Sequence, residues 1–560
     1  MRQAHCDLLV IGSGAAGFAA ALTAKLLGLD VIMVEKERCF GGASARSGGG
    51  LWIPGNGVDA PNEADTRDSQ RTYLRHVAQH AYDEERVDAF LRNGPEMLAF
   101  LTAHTHLRFD ATPLPDYHSD APGGSSGGRS IFARDFDGRL LGNRLNELQP
   151  MIRAGRFLGV SVGRNDMPRF LGAGRSVRDL AYLAARVAGA SLDRIRFGRD
   201  TRLGNGNALI GRLAKSAFDL GIPLWTGAPA RRLVVEAGRV CGAVVETREG
   251  EVEVRSSRGV VLATGGFPHD ADLRRLYMPA LAEPLCWDVL PAANSGDGIA
   301  LARSAGGAVN TNVLSPVALA PIAGFTERGE VLPFPYFSGR AKPGFIAVLP
   351  DGRRFANEAD SYHDFGLALL RAYRGPGQPH AFVIGDQRAM RRYGHGFAKP
   401  FPMPSWLYRR AGYLVSAPTP EALGRKAGFD GAELAHTIAA YNDGAREGRD
   451  PAFGRGSSAY NRAQGDPDHQ PNPCVAPLTV APFHAVRVVP GAVGTFVGLR
   501  TDGHARVLDD GGRAVPGLYA CGNDAATPLG GDYVGGGTTL GPAMTFGYVA
   551  ARHASGQIVE

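Results

Sequence analysis

The sequence predicts an α/β protein: a Rossmann-type dinucleotide-binding domain interrupted by a smaller second domain. Three observations predict it. A buried strand, a glycine turn, an apolar helix and a second strand ending in an acid open the chain (residues 6–35). Buried strands with glycine ends return late, in GVVLATGGF (259–267) and GLYACGNDAA (517–526). Between them the composition shifts toward Pro, Phe and Tyr around residues 332–345. The expected division is 1–315 for the first part of the nucleotide domain, 316–488 for the interrupting domain and 489–560 for the return segment.

Each element has its own signal. Cys6–Ile11, CDLLVI, is a continuous apolar run, as a strand covered on both faces requires. GSGAAGFAAALTAKLLG opens a helix, and Asp30–Val34 is the next strand, with Glu35 at its end. From about Asp59 to Ile195 the pattern is irregular and mostly helical. Strand patterns return over residues 222–254. GNGNAL at Gly204 lacks a preceding apolar strand and an acidic partner, so it reads as helix entry. NSGDGIALARSAGGAV (294–309) reads as a capped helix, and residues 455–474 as a long polar loop. The C-terminal run offers a strand, a glycine-rich loop and a final helix.

Composition excludes several classes. With 44% hydrophobic and 21% charged residues the chain is ordinary for a globular protein. Its net charge of +6, spread over 560 residues, does not argue for nucleic acid. No stretch of 18 apolar residues occurs, so no transmembrane segment is expected. The N-terminus enters a strand directly, without a signal-peptide pattern, which points to the cytoplasm. The cysteines (Cys6, Cys39, Cys241, Cys286, Cys474, Cys521) have no metal-ligand spacing and read as free thiols; no metal is expected. Glycine is the outlier, at 76 residues, and its clustering suggests close backbone approach to a ligand.

Gly12, Gly14 and Gly17 stand in GxGxxG spacing. Gly12 permits the tight turn, Gly14 lets the backbone near a pyrophosphate, and Gly17 allows close helix–sheet packing. Ala15 and Ala16 begin the helix, whose free N–H groups favour phosphate. Glu35 would accept hydrogen bonds from a ribose hydroxyl, with Lys36 beside it. A second glycine and serine loop follows at once, with Gly42, Ala43, Ser44, Ser47, Gly48 and Gly49. That suits a cofactor longer than NAD, namely FAD. Ala230, the strand end Ala263, Thr264 and Gly265, then Asp297, Gly522, Asn523, Thr539 and Leu540 complete the expected cofactor contacts.

These blocks and their order resemble the flavoprotein subunits of the fumarate reductase and succinate dehydrogenase superfamily. The resemblance implies FAD on the Rossmann-type domain and an α+β capping, catalytic domain. ASARSGGG (43–50) has no His where the covalent members carry one, so noncovalent FAD is expected. With no second fingerprint, reoxidation falls to an external acceptor such as a quinone.

The dicarboxylate enzymes of that superfamily grip their substrate with cations. GRRFANEADSYHDF resembles their GxRFxNE block, but Tyr362 stands five residues past Asn357, where they place Arg. Val493 and Gly494 stand where they have His, and Tyr533 or its neighbour where they have another Arg. A dicarboxylate would be left unpaired. Tyrosines at these places resemble the 3-ketosteroid Δ1-dehydrogenases, in which two form a proton-abstracting pair (here Tyr117 and Tyr362). A third, here Tyr533, holds the carbonyl oxygen together with a glycine N–H, here Gly537.

The implied activity is desaturation α,β to a ring ketone, foremost the 1,2 position of a 3-ketosteroid. Smaller cyclic ketones, or the reverse reduction of an enone, would use the same residues. Departures remain: YVGGG (533–537) replaces the family's YPGPG. Gly535 stands where the Δ4-dehydrogenases of 5α-steroids carry Ser, which argues against that regiochemistry. His363 is a second candidate base, but points away from Tyr362 if the segment is extended. Phe334, Phe337 and Phe345 read either as a greasy slot or as plain core.

Overall fold

The computed structural model describes residues 2–58, 64–158, 160–163, 166–281 and 289–557. Cys286 and the expected start of the helical stretch at Asp59 lie outside the described residues.

The main sheet runs in the order Leu224–Thr226, Val31–Glu35, Arg2–Ile11, Gly250–Leu262, Arg239–Thr247, Ala230–Glu236. The first four strands are parallel, and Ala514–Ala520 joins Gly250–Leu262 in parallel as well. The strand Arg2–Ile11 is buried at Leu8–Ile11, where helices and neighbouring chain cover both faces. The helix Ala15–Leu26 carries Ala at six of its twelve positions. Small side chains let it pack against the final helix, Leu540–Ala554, where a Cβ on Gly547 would meet the Ala16 carbonyl at 2.5 Å. Its N-cap is Gly14, with no capping side chain and no acid in the first turn, so the positive end of the helix dipole stays open to an anion.

A second, wholly antiparallel sheet has the order Glu330–Pro335, Val317–Glu327, Phe483–Thr495, Ala381–Gly385, Phe345–Val348. Helices such as Tyr362–Ala372 and Gly431–Ala445 cover it, giving the α+β layer expected of the interrupting domain. Its first strand begins one residue past the expected boundary at 316. Phe483–Thr495 runs straight through the expected boundary at 488 and hands the chain back toward the nucleotide domain.

Other expectations need correction. The polar stretch 455–474 contains a short helix, Ala459–Gln464, because Ser458 caps it by accepting from the Asn461 N–H at 3.0 Å. The capped helix expected over 294–309 is only Asp297–Ser304. Gly204 is indeed a helix entry, being the N-cap of Asn205–Asp219. Cys6, Cys39, Cys241, Cys474 and Cys521 are free thiols. Among the described residues no helix is long and apolar enough to cross a membrane.

Candidate active site

A cleft enclosing about 1100 Å³, its open mouth included, runs along the carboxyl ends of the parallel strands. Gly12, Gly14, Ala15, Ala16, Glu35, Lys36, Gly42, Ala43, Ser44 and Ser47 line it, as do Ala230, Ala263, Thr264, Gly265, Asp297, Gly522, Asn523, Thr539 and Leu540. Gly17, Gly48 and Gly49 do not. Gly17 lies in the first turn of the helix Ala15–Leu26, where a Cβ would meet the Gly12 carbonyl at 2.1 Å, so its part is packing. Gly49 has φ +68° and packs on the Asn205 backbone, and Gly48 faces Phe132.

The cleft is shaped by backbone. Gly12 has φ +109°, and a Cβ there would sit 2.1 Å from the Ala263 carbonyl, so only glycine lets the first turn touch the end of the strand Gly250–Leu262. Ser13 was missed by sequence reasoning. Its hydroxyl donates to Glu35 at 2.5 Å and accepts from the Gly41 N–H at 3.0 Å, fastening the second loop to the first. The Ser13 and Glu37 N–H groups also donate to the Glu35 carboxylate, at 3.1 and 3.0 Å. Burial raises the Glu35 pKa, and these bonds oppose the rise. Lys36 pairs with Asp297 at 2.6 Å. Buried Asp524, also missed, accepts from the Thr264 hydroxyl at 2.9 Å and the Gly266 N–H at 3.0 Å, holding the loop after the long central strand.

Three phenols cluster beside this cleft without lining it. Val493 and Thr539 line the cleft, and each also adjoins the tyrosine cluster. The Tyr117 and Tyr362 hydroxyl oxygens are 3.4 Å apart. The Tyr117 and Tyr533 rings stack at 5.5 Å and 13°, and Tyr362 meets Tyr533 edge-on at 4.9 Å. Phe496, Ala318 and Ala320 complete an apolar nest around them.

Each tyrosine is held by its own device. Tyr362 is the first residue of its helix, capped by Ser361, whose hydroxyl accepts from the Asp364 N–H at 3.0 Å. The loop before it is locked by Glu358, fully buried between Arg354 (2.8 Å) and Arg455 (3.1 Å), while Arg354 also pairs with Asp450 at 2.7 Å. Tyr117 and Tyr533 are tied through Val534, whose carbonyl accepts from the Tyr117 N–H at 3.0 Å and the Tyr73 hydroxyl at 2.7 Å. His118 contacts the Asp532 carboxylate at 3.2 Å, and Asp364 lies 4.0 Å away. Burial would lower the His118 pKa, but the bond to Asp532 and the nearby carboxylates prevail and raise it to about 9.

The glycine loop needs no prolines. The Trp52 N–H donates to the Gly537 carbonyl at 3.2 Å, and the Trp52 indole donates to Asp116 at 2.7 Å. A Cβ on Gly535 would strike the Trp52 ring at 2.4 Å, which excludes the serine of the Δ4 enzymes for a steric reason. Gly537 has φ +106° and lies against the backbone of Leu51 and Trp52, leaving no room for a Cβ. Among the described residues nothing accepts its N–H.

His363 is ruled out as the base. The segment is helical rather than extended, and His363 is fully buried with Nδ1 accepting from the Leu319 N–H at 3.1 Å. Burial lowers its pKa, so Nε2 carries the proton of the neutral ring. Of the three phenylalanines, Phe337 packs on Tyr362 at 4.7 Å and is 41% exposed. Phe345 is core, and Phe334 belongs to an aromatic cluster with Tyr336 and Phe397.

Fold and cleft together define a flavin-dependent oxidoreductase, with three phenols clustered beside the cleft. The chain belongs to the family described as FAD binding domain, which matches residues 7–540. Within it the chain is 3-ketosteroid Δ1-dehydrogenase-like. It is 40% identical to 4-oxocyclohex-2-ene-1-carboxylate 5-dehydrogenase of Sinomonas cyclohexanicum, over 98% of this chain and 93% of that protein. It is 38% identical to 3-oxosteroid 1-dehydrogenase of Mycobacterium tuberculosis (strain ATCC 25618 / H37Rv), over 98% of both. The crystal structure of 3-ketosteroid delta1-dehydrogenase from Sterolibacterium denitrificans, in complex with 1,4-androstadiene-3,17-dione, superposes with a TM-score of 0.90 at 33% identity, covering 99% of this chain and 100% of that one. The glycine cradle fits FAD, and among the described residues lining the cleft none is a histidine.

Proposed function

We propose that the protein introduces a double bond α,β to a ring ketone, with 1,2-desaturation of a 3-ketosteroid as the leading case. The observation that carries this is the convergence of Tyr117, Tyr362 and Tyr533 beside the cofactor cleft. The α proton of a ketone is acidic because its loss gives an enolate. Tyr362 takes that proton, with Tyr117 as its hydrogen-bonded partner. The Tyr533 hydroxyl and the Gly537 N–H hold the ketone oxygen and stabilise its developing charge. Phe337 and Phe496 give the ring an apolar face and exclude water. The glycine loops, Glu35 and the N-termini of the first and last helices would hold FAD, which when bound would supply the acceptor for the hydride leaving the β carbon. The electron pair then passes to an external acceptor, a quinone being the proposed class.

Burial pushes all three phenols upward, and Tyr117 and Tyr362 well above the ordinary tyrosine value. At rest they are neutral. In a hydrogen-bonded pair only one member ionises, and the bond favours the member that accepts. Across the resting pair the bond lowers the Tyr117 pKa and raises that of Tyr362; Tyr362 is proposed as the base on the ANEADSY block that carries it, with Tyr117 as its partner.

A second reading, a smaller cyclic ketone, is favoured by two relatives. One is the 40% identical protein; the other is 4-oxocyclohexanecarboxylate 2-dehydrogenase of Sinomonas cyclohexanicum, at 34% identity over 98% of this chain. Anaerobic flavin bleaching by a panel of 3-ketosteroids and 4-oxocyclohexanecarboxylates, scored with an artificial acceptor, separates the two readings. Bleaching by neither series removes both.

A further inference from the structure

Arg340 is a buried charge that the site has not yet used. It sits in the short turn Gly339–Ala341 and is 1% exposed. Its guanidinium donates to three main-chain carbonyls, those of Tyr336 (2.7 Å), Phe337 and Asp360, and lies over the Phe365 ring at 5.2 Å. Its Nε has no partner, and among the described residues it forms no ion pair. Of the other deeply buried arginines, Arg129, Arg354 and Arg455 meet carboxylates, while Arg86 likewise donates only to carbonyls, those of Ala526 and Thr527. Carbonyl dipoles solvate a guanidinium without cancelling its charge. A buried, unpaired charge is costly, and such groups concentrate where a site uses them.

We propose that Arg340 is a positioning residue whose fixed positive charge favours ionisation of the Tyr117–Tyr362 hydroxyl pair. Two observations place it there. Its carbonyl ligands are Phe337, whose ring packs on Tyr362, and Asp360, two residues before Tyr362. Its charge also acts on Tyr117 and on Tyr460, whose ring lies 4.5 Å from that of Tyr117, and pulls both phenols down against their burial. The remaining charged or titratable groups around the pair are Asp360, Asp364, Asp532, His118, His363 and Tyr533. His118 and Asp532 offset one another. Burial raises Asp360 to about 6, and its carboxylate accepts from Asn461 at 3.0 Å. Arg340 is therefore, among the described residues, the buried cation on this side of the tyrosines that forms no ion pair, the Asp360 carboxylate acting on it only through space.

The inference rests on the proposed role of Tyr362, and the test keeps the two apart. Flavin-reduction rates with 4-androstene-3,17-dione are measured against pH for the FAD-loaded enzyme, Arg340→Met and Arg340→Lys. Removing the charge should move the rising limb up by about one pH unit or more, the size expected for losing an opposite charge at close range. Arg340→Lys should keep the limb in place even if its rate falls through lost carbonyl contacts. An Arg340→Met enzyme that is slower with an unmoved limb overturns the proposal, because lost packing alone changes rate and not the midpoint. If Arg340→Met does not fold, Asp360→Asn decides: deleting that anion should move the limb down, and an unmoved limb overturns the proposal. If the steroid does not reduce the flavin, the functional reading has failed, and the same comparison is made by tyrosinate absorbance in the resting enzyme against a Tyr362→Phe control. There a midpoint unchanged between the parent and Arg340→Met overturns the inference.

Discussion

Tyr117 and Tyr533, more than four hundred residues apart in sequence, lie face to face at 5.5 Å with 13° between their rings. The stack is enforced by main chain, since the Tyr117 N–H donates to the carbonyl of Val534, the residue after Tyr533. Tyr362 meets both rings edge-on, at 5.6 and 4.9 Å. Offset and edge-on contacts are the favourable arrangements for aromatic rings, so the cluster is rigid before any ligand arrives.

Tyr362→Phe removes the proposed base without changing ring volume. Flavin reduction should slow by about 10²–10⁴-fold, the range for loss of a general base, while FAD stays bound. Rapid-mixing absorbance with the best ring ketone of the panel checks this, and near-parental rates would discard Tyr362 as the base.

Tyr533→Phe should cost about 2–4 kcal/mol of transition-state stabilisation. The loss should appear in kcat rather than in the affinity for a saturated ketone, because the hydrogen bond strengthens as the oxygen gains charge. An unchanged kcat would take Tyr533 out of the oxyanion site.

Because burial lifts the phenols, and the active form of the base is the ionised one, the rate should rise with pH on the alkaline side of neutrality. A profile falling through that range would contradict a phenol base and favour a group needed in its protonated form.

The His118–Asp532 contact should give stability its own pH signature. The folded His118 pKa, about 9, lies above its unfolded value of about 6.5. Its contribution is therefore fully present below about pH 6.5 and lost as pH rises through about 9. Discounted for its partial exposure, it is about 1–2 kcal/mol. Urea midpoints of the parent and of His118→Gln should differ near pH 6 and converge near pH 10; a constant difference would mean that the pair contributes no pH dependence.

Gly535→Ser should disable the glycine loop. The new Cβ meets the Trp52 ring at 2.4 Å, and Trp52 is fixed by Asp116, so the loop must shift, at about 1–3 kcal/mol for overpacking. Thermal unfolding and flavin-reduction rate should both fall, and an unaltered protein would show that the indole can move.

Much of this protein was legible in the chain because it rests on local rules. A continuous apolar run, glycines at fixed offsets and an acid at the next strand end specify the Rossmann entry wherever the rest of the chain goes. The three tyrosines could be singled out because each sits in a recognisable local block. Other features were settled only by the tertiary structure. His363 lost its candidacy when its segment became helical and its Nδ1 met the Leu319 N–H. Gly49 proved to be a packing glycine because of the Asn205 backbone, and Phe345 and Phe337 parted into core and site. Ser13 and Asp524 stand inside glycine blocks whose pattern marks no role for their side chains, and nothing local singles out Phe496 or Arg340. Their roles depend on which carbonyls, rings and carboxylates arrive beside them from remote parts of the chain, and that is decided by how the two sheets pack, not by neighbours in sequence.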